Sequence, residues 1–239
     1  MKKNIITLLT AVALLISGAA YAQDNDWNVT LTPYGWLAGL DGHTGTKPLV
    51  AEVDLSPSDI IEDLEVAAML TLDANNGTWG VVADMFYVGL EDHENTAIGK
   101  IKAEVEQWIV TAGPYYRIQT GNDLVVNIGA GGRYMNADTD ITTPVGDSSD
   151  SESWIDPVVI LGLRVSVGEK FFIDLDGDIG GFGVESDLTW MVMGTAGYSI
   201  NQTVDLCVGY QHLDVDYEDD GFVYDAATSG LAVGLSISL

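Results

Sequence analysis

Apolar and polar residues alternate with a period of two along most of the chain, whereas helical periodicity is nearly absent. One face of the final segment is entirely apolar and carries Leu231, Val233, Leu235, Ile237 and Leu239. Its opposite face is small or polar, and similar segments begin near residues 124, 155 and 204. This period predicts β-strands with two unlike faces.

The stretch FFIDLDGDIG, residues 171–180, raises the question of which face is buried. Its apolar face carries Phe171, Ile173, Leu175 and Ile179. Its acidic face carries Asp174, Asp176 and Asp178. The non-apolar faces along the chain are rich in glycine and poor in basic residues, unlike an ordinary solvated surface. We therefore expect the apolar face to contact lipid and the acidic face to line the interior of a barrel.

Short and long connections alternate between these segments. The short ones are ANNGT (74–78), QTGND (119–123), VGEK (167–170) and INQT (200–203). This alternation is typical of outer-membrane β-barrels, whose sheet must close because backbone groups in lipid have to be paired. Aromatic residues near the strand ends fit the interfacial girdles of such barrels. The sequence predicts an all-β fold, a transmembrane antiparallel up-and-down β-barrel of about ten strands, with about 8 or 12 as alternatives.

The N-terminus has the pattern of a secretory signal. Residues 2–3 are lysines, residues 5–16 are mostly apolar, and residues 20–22 read Ala-Tyr-Ala, which matches a cleavage site. We expect residues 1–22 to be removed and residues 23–239 to form a single barrel domain in the cell outer membrane. A retained anchor helix is the alternative.

One segment, residues 40–64, does not fit the strand count. PLVAEVDL (48–55) has the alternation of a further strand. SPSDIIEDL (56–64) has the capping serine, the first-turn proline and the early acids of a short helix. We expect this first outer loop to fold into the barrel mouth as a plug. The alternative is a barrel with a different strand count and a differently placed loop.

The charge of the chain narrows the possible functions. There are 36 acidic and 9 basic residues, and the net charge of −27 becomes −29 once the two lysines of the signal are removed. Such a chain should repel nucleic acid. The single cysteine, Cys207, cannot form an intramolecular disulfide. The acidic stretches at 147–152 and 214–220 do not match a calcium-binding loop, so we predict solvated loops, with no metal site and no cofactor. Divalent bridging to lipopolysaccharide phosphates is the alternative.

Ionisable residues on the expected inner faces form the candidate site. They are Asp84, Glu104, Glu106, Arg133, Asp156, Arg164, Asp174, Asp176, Asp178 and Asp205. One interpretation is a sealed ionic network in which the arginines bridge carboxylates. The other is a narrow path for cations or small solutes, lined by acid. A barrel of about ten strands has little free bore, which favours the network.

Several motifs resemble a known group of proteins. They are WLAGLDGHTG (36–45), VDLSPSDIIEDL (53–64), WIDPVV (154–159), GDIGGFGVESDLTW (177–190) and GYQHLDVDYEDDGFVYDAATSGLAVGL (209–235). Together they resemble largely uncharacterised proteobacterial outer-membrane β-barrel proteins. The resemblance implies the fold, contact with outer-membrane lipid and lipopolysaccharide, and insertion by the outer-membrane assembly machinery through the C-terminal strand. It implies no catalytic residues, and the final Leu239 departs from the aromatic residue with which such barrels usually end.

Two other functions are weighed against this one. A rim enzyme, a protease or a lipid-modifying hydrolase, would use His212 and Asp214, which share a strand face, together with Asp84 or Asp187. No G-x-S-x-G nucleophile motif accompanies them. A soluble barrel that binds an apolar ligand would need its apolar faces inward. We therefore expect a barrel without catalytic activity, either structural or a narrow path for small solutes.

Overall fold

The computed structural model describes residues 27–96, 99–121, 123–143 and 146–239, so the signal expected at residues 1–22 lies outside the described residues. The strands are β1 (Asn28–Thr46), β2 (Leu49–Leu55), β3 (Leu64–Asn75), β4 (Trp79–Thr96), β5 (Gly99–Thr120), β6 (Leu124–Thr143), β7 (Gly146–Val167), β8 (Phe171–Gly180), β9 (Ser186–Ser199), β10 (Val204–Asp219) and β11 (Phe222–Ser238). A short helix, α1 (Pro57–Glu62), follows β2. Within the described ranges, no helix is long and apolar enough to cross a membrane.

The strands form one antiparallel sheet that closes into a barrel. Neighbours pair in chain order from β3 to β11, and β11 pairs with β1 from Thr30–Ser238 to Thr46–Phe222. Strand β2 stands outside this circle because it adds to the upper edge of β1, from Leu40–Leu55 to Thr46–Leu49. Ten strands therefore form the wall, as the alternation predicted, and closure gives the backbone groups of the wall their partners.

The two ends of the barrel differ. Tight turns join β3 to β4, β5 to β6, β7 to β8 and β9 to β10 at one end, here called the turn end. At the opposite loop end, several strands run well past the length needed to cross a membrane. Strands β5 and β7 have 22 residues each, whereas about 9–11 residues are enough for a tilted spanning strand. The long polar connections seen in the sequence are thus largely strand extensions.

The outer surface of the wall is apolar. On β8, the side chains of Phe171, Ile173 and Leu175 are half exposed or more, whereas Phe172 and Asp178 between and beyond them are buried. The apolar face of FFIDLDGDIG therefore points outward and its aspartates point into the barrel. The outward aromatic pairs Trp79–Tyr116 and Phe171–Tyr198, each with ring centroids 5.0 Å apart, lie at the turn end. This is the arrangement of an interfacial aromatic girdle.

The interior has an apolar layer toward the loop end and a polar region toward the turn end. The apolar layer includes Trp36, Phe86, Ile109, Met135, Trp154, Leu213, Val215, Tyr217, Phe222 and Tyr224. Trp154 stacks face to face on Tyr217, with ring centroids 4.0 Å apart and an angle of 5° between the planes. These rings give the barrel a packed core near its mouth.

Glycines on the inner faces make room for large side chains. A Cβ atom at Gly197 would lie 1.9 Å from Cζ of Phe172, and one at Gly80 would lie 2.3 Å from the ring of Tyr115. Each ring therefore occupies the space left by the missing side chain on a neighbouring strand. This packing accounts for the glycine-rich inner faces seen in the sequence.

The segment at residues 40–64 forms a hairpin strand and a surface helix. The hydroxyl of Ser56 accepts from the backbone N–H of Asp59 at 3.4 Å, and the Asp59 carboxylate accepts from the N–H of Ser56 at 2.9 Å. With Pro57 in the first turn, this is a complete capping box. None of the residues of α1 is buried. A role for this segment as a plug stays a prediction.

Candidate functional site

A central layer of charged side chains, defined by Asp84, Arg133 and Asp178, lies in the middle of the barrel. Arg133 on β6 is 1% exposed. Its Nη2 atom donates to both carboxylate oxygens of Asp178 at 2.7 Å. Its Nη1 atom donates to Oγ1 of Thr189 at 2.6 Å, and its Nε atom to Oγ1 of Thr111 at 3.1 Å. The guanidinium is thus both charge-paired and hydrogen-bonded on all three nitrogens, as a buried arginine requires.

Asp84 supplies the second carboxylate of the central layer. It lies on the inner face of β4 and accepts from Oγ1 of Thr71 at 2.7 Å. The hydroxyl of Tyr34 donates to both of its oxygens at 3.2 Å. Tyr34 and Thr71 come from the neighbouring strands β1 and β3, whereas Arg133 and Asp178 come from β6 and β8, so the central layer joins strands far apart around the barrel.

Asp156 links the central layer to the aromatic layer above it. This side chain is fully buried and pairs in register with Arg133 across β6 and β7. Its carboxylate accepts from the N–H of Ser186 at 2.8 Å and from the Ser186 hydroxyl at 2.6 Å. The hydroxyl of Ser186 in turn accepts from Nε1 of Trp154 at 3.1 Å. These bonds hold the start of β9 against the lumen.

The turn end of the lumen is an acidic vestibule, defined by Asp73, Arg117, Arg164, Asp174, Asp176 and Asp205. Arg164 donates to Asp174 through Nε and Nη2 at 2.7 and 2.6 Å, and its guanidinium lies 4.2 Å from the Phe172 ring centroid. The Arg164 side chain is 47% exposed. The vestibule is therefore open to water, and its four carboxylates outnumber its two guanidinium groups.

Eight of the ten residues predicted for the site lie on the inner face of the barrel. They belong to the central layer or the vestibule, or, in the case of Asp156, link the central layer to the aromatic layer. Glu104 and Glu106 are the exceptions. They lie on the outer face of β5, opposite in alternation to the inward Ile109 and Thr111. The register inferred from polarity was wrong here because both faces of β5 meet water beyond the membrane. Polarity then no longer tells the inner face from the outer face.

The two glutamates belong to an acidic cleft on the outer side of the wall extension. The cleft has a volume of about 330 Å³ and is lined by Glu104, Glu106, Asp138, Asp140, Ser149, Asp150 and Ser151. Beside it, Nζ of Lys102 lies 2.7 Å from Glu104 and 2.8 Å from Glu91. The hydrogen bonds that Lys102 donates to Glu104 and Glu91 raise its pKa. The described part of the chain contains no group of three or more side chains arranged to hold a metal ion.

Sequence reasoning missed the neutral partners of the charged groups. Thr111, Thr189, Ser186 and Tyr34 satisfy the buried charges, yet only charged side chains were taken as candidates. The available signal was the hydroxyl residues that share strand faces with the aspartates.

The structure separates Asp84 from the other residues of the alternative rim enzyme. His212 and Asp214 lie on the outer face of β10, since Leu213 and Val215 between and beyond them are buried in the core. The His212 ring packs on Trp190 with centroids 4.7 Å apart. Asp84 lies inside the lumen. The barrel wall therefore separates the histidine from that carboxylate.

Comparison with known proteins adds a likeness in fold. No family model matches the chain, and no curated protein sequence matches it. Among solved structures, the outer-membrane protease OmpT from Escherichia coli superposes with a TM-score of 0.52 at 10% identity, over 89% of this chain and 96% of that one. Neisserial surface protein A gives a TM-score of 0.39 at 12% identity, over 90% and 98% of the two chains.

OmpT is too distant in sequence to carry over its activity, so the likeness concerns the fold. That fold agrees with the closed ten-strand wall and with the apolar belt around it. The turn end, the aromatic girdle and the charged interior also follow the pattern of such barrels. The chain is therefore a β-barrel protein of the bacterial outer membrane.

Proposed function

We propose that this protein is a non-catalytic outer-membrane barrel whose lumen is sealed at its centre. The observation that carries the proposal is the central layer, where Arg133 is 1% exposed and all of its nitrogens bond to other side chains. An ion crossing the barrel would have to break a buried, doubly hydrogen-bonded ion pair. Such a break costs several kcal/mol, on the order of 3–5 kcal/mol.

The aromatic layer supports the same proposal. Trp154, Tyr217 and Phe222 pack together above the central layer. Met135 of β6, in the same apolar layer, is completely buried. A continuous water path needs polar, hydrated walls, whereas this layer is apolar. The structural role then rests on the wall and on the surfaces at its two ends. Its surroundings are outer-membrane lipid and lipopolysaccharide, and the assembly machinery engages β11 during insertion.

A second candidate is a narrow path for cations or small solutes, and the vestibule favours it. Asp176 is exposed within the lumen, and four carboxylates face two guanidinium groups there. Such an excess of acid concentrates cations. On the sealed-barrel proposal, cations enter the vestibule and go no further than Arg133.

Ion conductance in a planar bilayer with a salt gradient distinguishes the two. Folded protein, identified by its heat-modifiable gel mobility, should give no steady conductance. The double variant Arg133→Ser/Asp178→Ser removes the central ion pair. Combined with Trp154→Ala/Tyr217→Ala, which opens the aromatic layer above it, this variant should raise conductance. Asp176→Asn is a matched change in the vestibule, and this variant should show no steady conductance, like the wild type. Steady cation-selective conductance of the wild type, reduced by Asp176→Asn, would establish the narrow path instead.

A further inference from the structure

The wall has a seam between β1 and β3. Backbone pairing of these strands ends at Pro33–Leu70, and β1 pairs with β2 from Leu40–Leu55 onward. Residues 34–39 of β1 and 64–69 of β3, all of them described, form no ladder with each other. Both stretches are paired on their other sides, with β11 and β4. At about 3.3 Å per residue, the seam runs along roughly 20 Å of strand.

Local chemistry keeps the seam apart. Pro33 is the last residue of β1 that pairs with β3, and its missing N–H faces β11, where the β1–β11 ladder skips residues 32 and 33. The next pairing is taken by a side chain, since the backbone N–H of Trp36 donates to Sδ of Met69 at 3.1 Å. A thioether is a weak acceptor. The side chain of Met69 thus stands where a backbone carbonyl would complete the ladder.

The seam lies at the depth of the lipid. Leu37 on its outer rim is 49% exposed and pairs with Leu231 of β11, which is 55% exposed. Open sheet edges do not occur in lipid unless they line a cavity or are covered by protein. The start of α1 covers the upper end of this edge, since a Cβ at Gly39 would lie 3.3 Å from Cδ of Pro57. The position of the lower part of the seam therefore indicates a passage rather than a plain piece of wall.

Behind the seam lies the apolar layer, with two polar atoms that have no partner. Trp36 meets Phe86 edge to face, with centroids 5.5 Å apart, and Met69 packs against them. Trp36 and Gln211 are 7% and 6% exposed. Nε1 of Trp36, a donor, and Oε1 of Gln211, an acceptor, are buried without a hydrogen bond among the described residues. Such orphaned groups destabilise the fold unless a ligand satisfies them.

The two orphaned atoms lie on either side of β11. Trp36 pairs with Ala232 and Gln211 pairs with Gly230, so small residues lie between them. By strand geometry their Cα atoms are roughly 12 Å apart, which the two long side chains can span toward a small common ligand. One donor and one acceptor match a hydroxyl group, because a hydroxyl accepts one hydrogen bond and donates another.

We propose that the seam admits a neutral, largely apolar molecule with one hydroxyl group from the lipid into the apolar layer, where Trp36 and Gln211 hold the hydroxyl. The apolar side chains around it exclude a charged ligand, and the net charge of −27 disfavours an anion. Tyr34, one step below Trp36 on β1, bonds to the central layer, so the ligand is held above the seal. The inference is independent of whether the centre conducts ions.

The site is tested by titrating naphthol into protein held in lipid nanodiscs, with empty discs as the blank. Naphthalene, which lacks the hydroxyl group, is the control probe. Wild-type protein should bind naphthol saturably. Gln211→Leu and Trp36→Phe should each weaken naphthol binding about tenfold, the loss of one hydrogen bond of about 1.4 kcal/mol, and leave naphthalene binding unchanged. Absence of saturable naphthol binding by folded protein, or equal effects on both probes, would overturn the site.

The route is tested by closing the seam in a Cys207→Ser background. Gly35→Cys/Ala68→Cys spans the open part, where a Cβ at Gly35 meets nothing within 4 Å. Leu31→Cys/Leu72→Cys spans the paired part of the same strands and is the matched control. Oxidation of the first pair should slow naphthol association about tenfold, and reduction should restore it. Ala68→Trp, which fills the seam without a disulfide, should slow it as well. Unchanged rates in both blocked variants would place the route at the mouth and overturn the lateral passage.

Discussion

At the scale of single residues, the central ion pair is where one change has the largest expected effect. Arg133→Met leaves the Asp178 carboxylate buried without its cation. We expect the free energy of unfolding to fall by about 3–5 kcal/mol, because an unpaired buried charge is poorly solvated. The double variant Arg133→Met/Asp178→Leu should recover most of this loss. Urea unfolding in lipid vesicles measures both.

The vestibule offers a matched control for the central pair. Arg164 makes a similar two-bond contact with Asp174, but its side chain is 47% exposed. Water can replace the lost partner there, so Arg164→Met should cost about 1 kcal/mol or less. Equal losses for Arg133→Met and Arg164→Met would mean that water reaches the centre as freely as it reaches the vestibule.

The contact between Gly197 and Phe172 gives a second prediction for single residues. A Cβ at Gly197 would lie 1.9 Å from the Phe172 ring, so Gly197→Ala must displace it. We expect a loss of about 1–3 kcal/mol, as for other overpacked sites, and partial recovery in Gly197→Ala/Phe172→Leu. Gly194→Ala on the same strand meets nothing within 4 Å and should be nearly neutral. The same urea titration checks all three, and a neutral Gly197→Ala would contradict the packing.

At the scale of elements, the helix α1 depends on its cap. Hydrogen bonds from the Ser56 side chain and backbone lower the pKa of Asp59 below the ordinary 3.8. A lowered pKa means that the carboxylate stabilises the folded helix above 3.8 and that this contribution is lost as the pH falls through the lower, folded value. Amide exchange protection of α1, corrected for intrinsic rates, should therefore drop in acid.

Two variants test the cap directly. Asp59→Asn should lower the protection of α1 at neutral pH and remove most of its acid dependence. Glu62→Gln, at the other end of the helix, should change neither. Protection that stays constant from neutral pH to well below 3.8 would show that the cap does not hold the helix.

Most elements follow from the sequence because alternation and tight turns are local signals. The strands from β3 to β11 lie where the period of two predicts them. The split edge of β1 does not follow, since it depends on Met69 entering the ladder and on which strand takes the upper edge. The prediction that Glu104 and Glu106 face the lumen failed for a related reason. The alternation of β5 continues after the surroundings of the strand change from lipid to water.

At the scale of the whole molecule, the charged groups of the interior are divided between two layers. The acids predicted to face inward are divided between a vestibule open to water and a central layer in which cation and hydroxyl partners meet the carboxylates. The composition predicted an excess of acidic residues, and the alternation predicted which of them face the lumen. Neither predicted the division, because depth along the barrel depends on registers between strands far apart in sequence.

The inside-out orientation of the barrel gives a last prediction. Leu175 is 50% exposed on the outer face of β8, and Asp176 is its neighbour inside. In a bilayer, Leu175→Arg should cost about 2–4 kcal/mol of folding free energy, since the charge would face lipid near mid-depth. Asp176→Asn, inside the hydrated vestibule, should cost much less. The difference should shrink in short-chain detergent, where the charge reaches water more easily. A soluble barrel with its apolar side inward would show the same cost in both media, so the dependence on lipid is what tests this architecture.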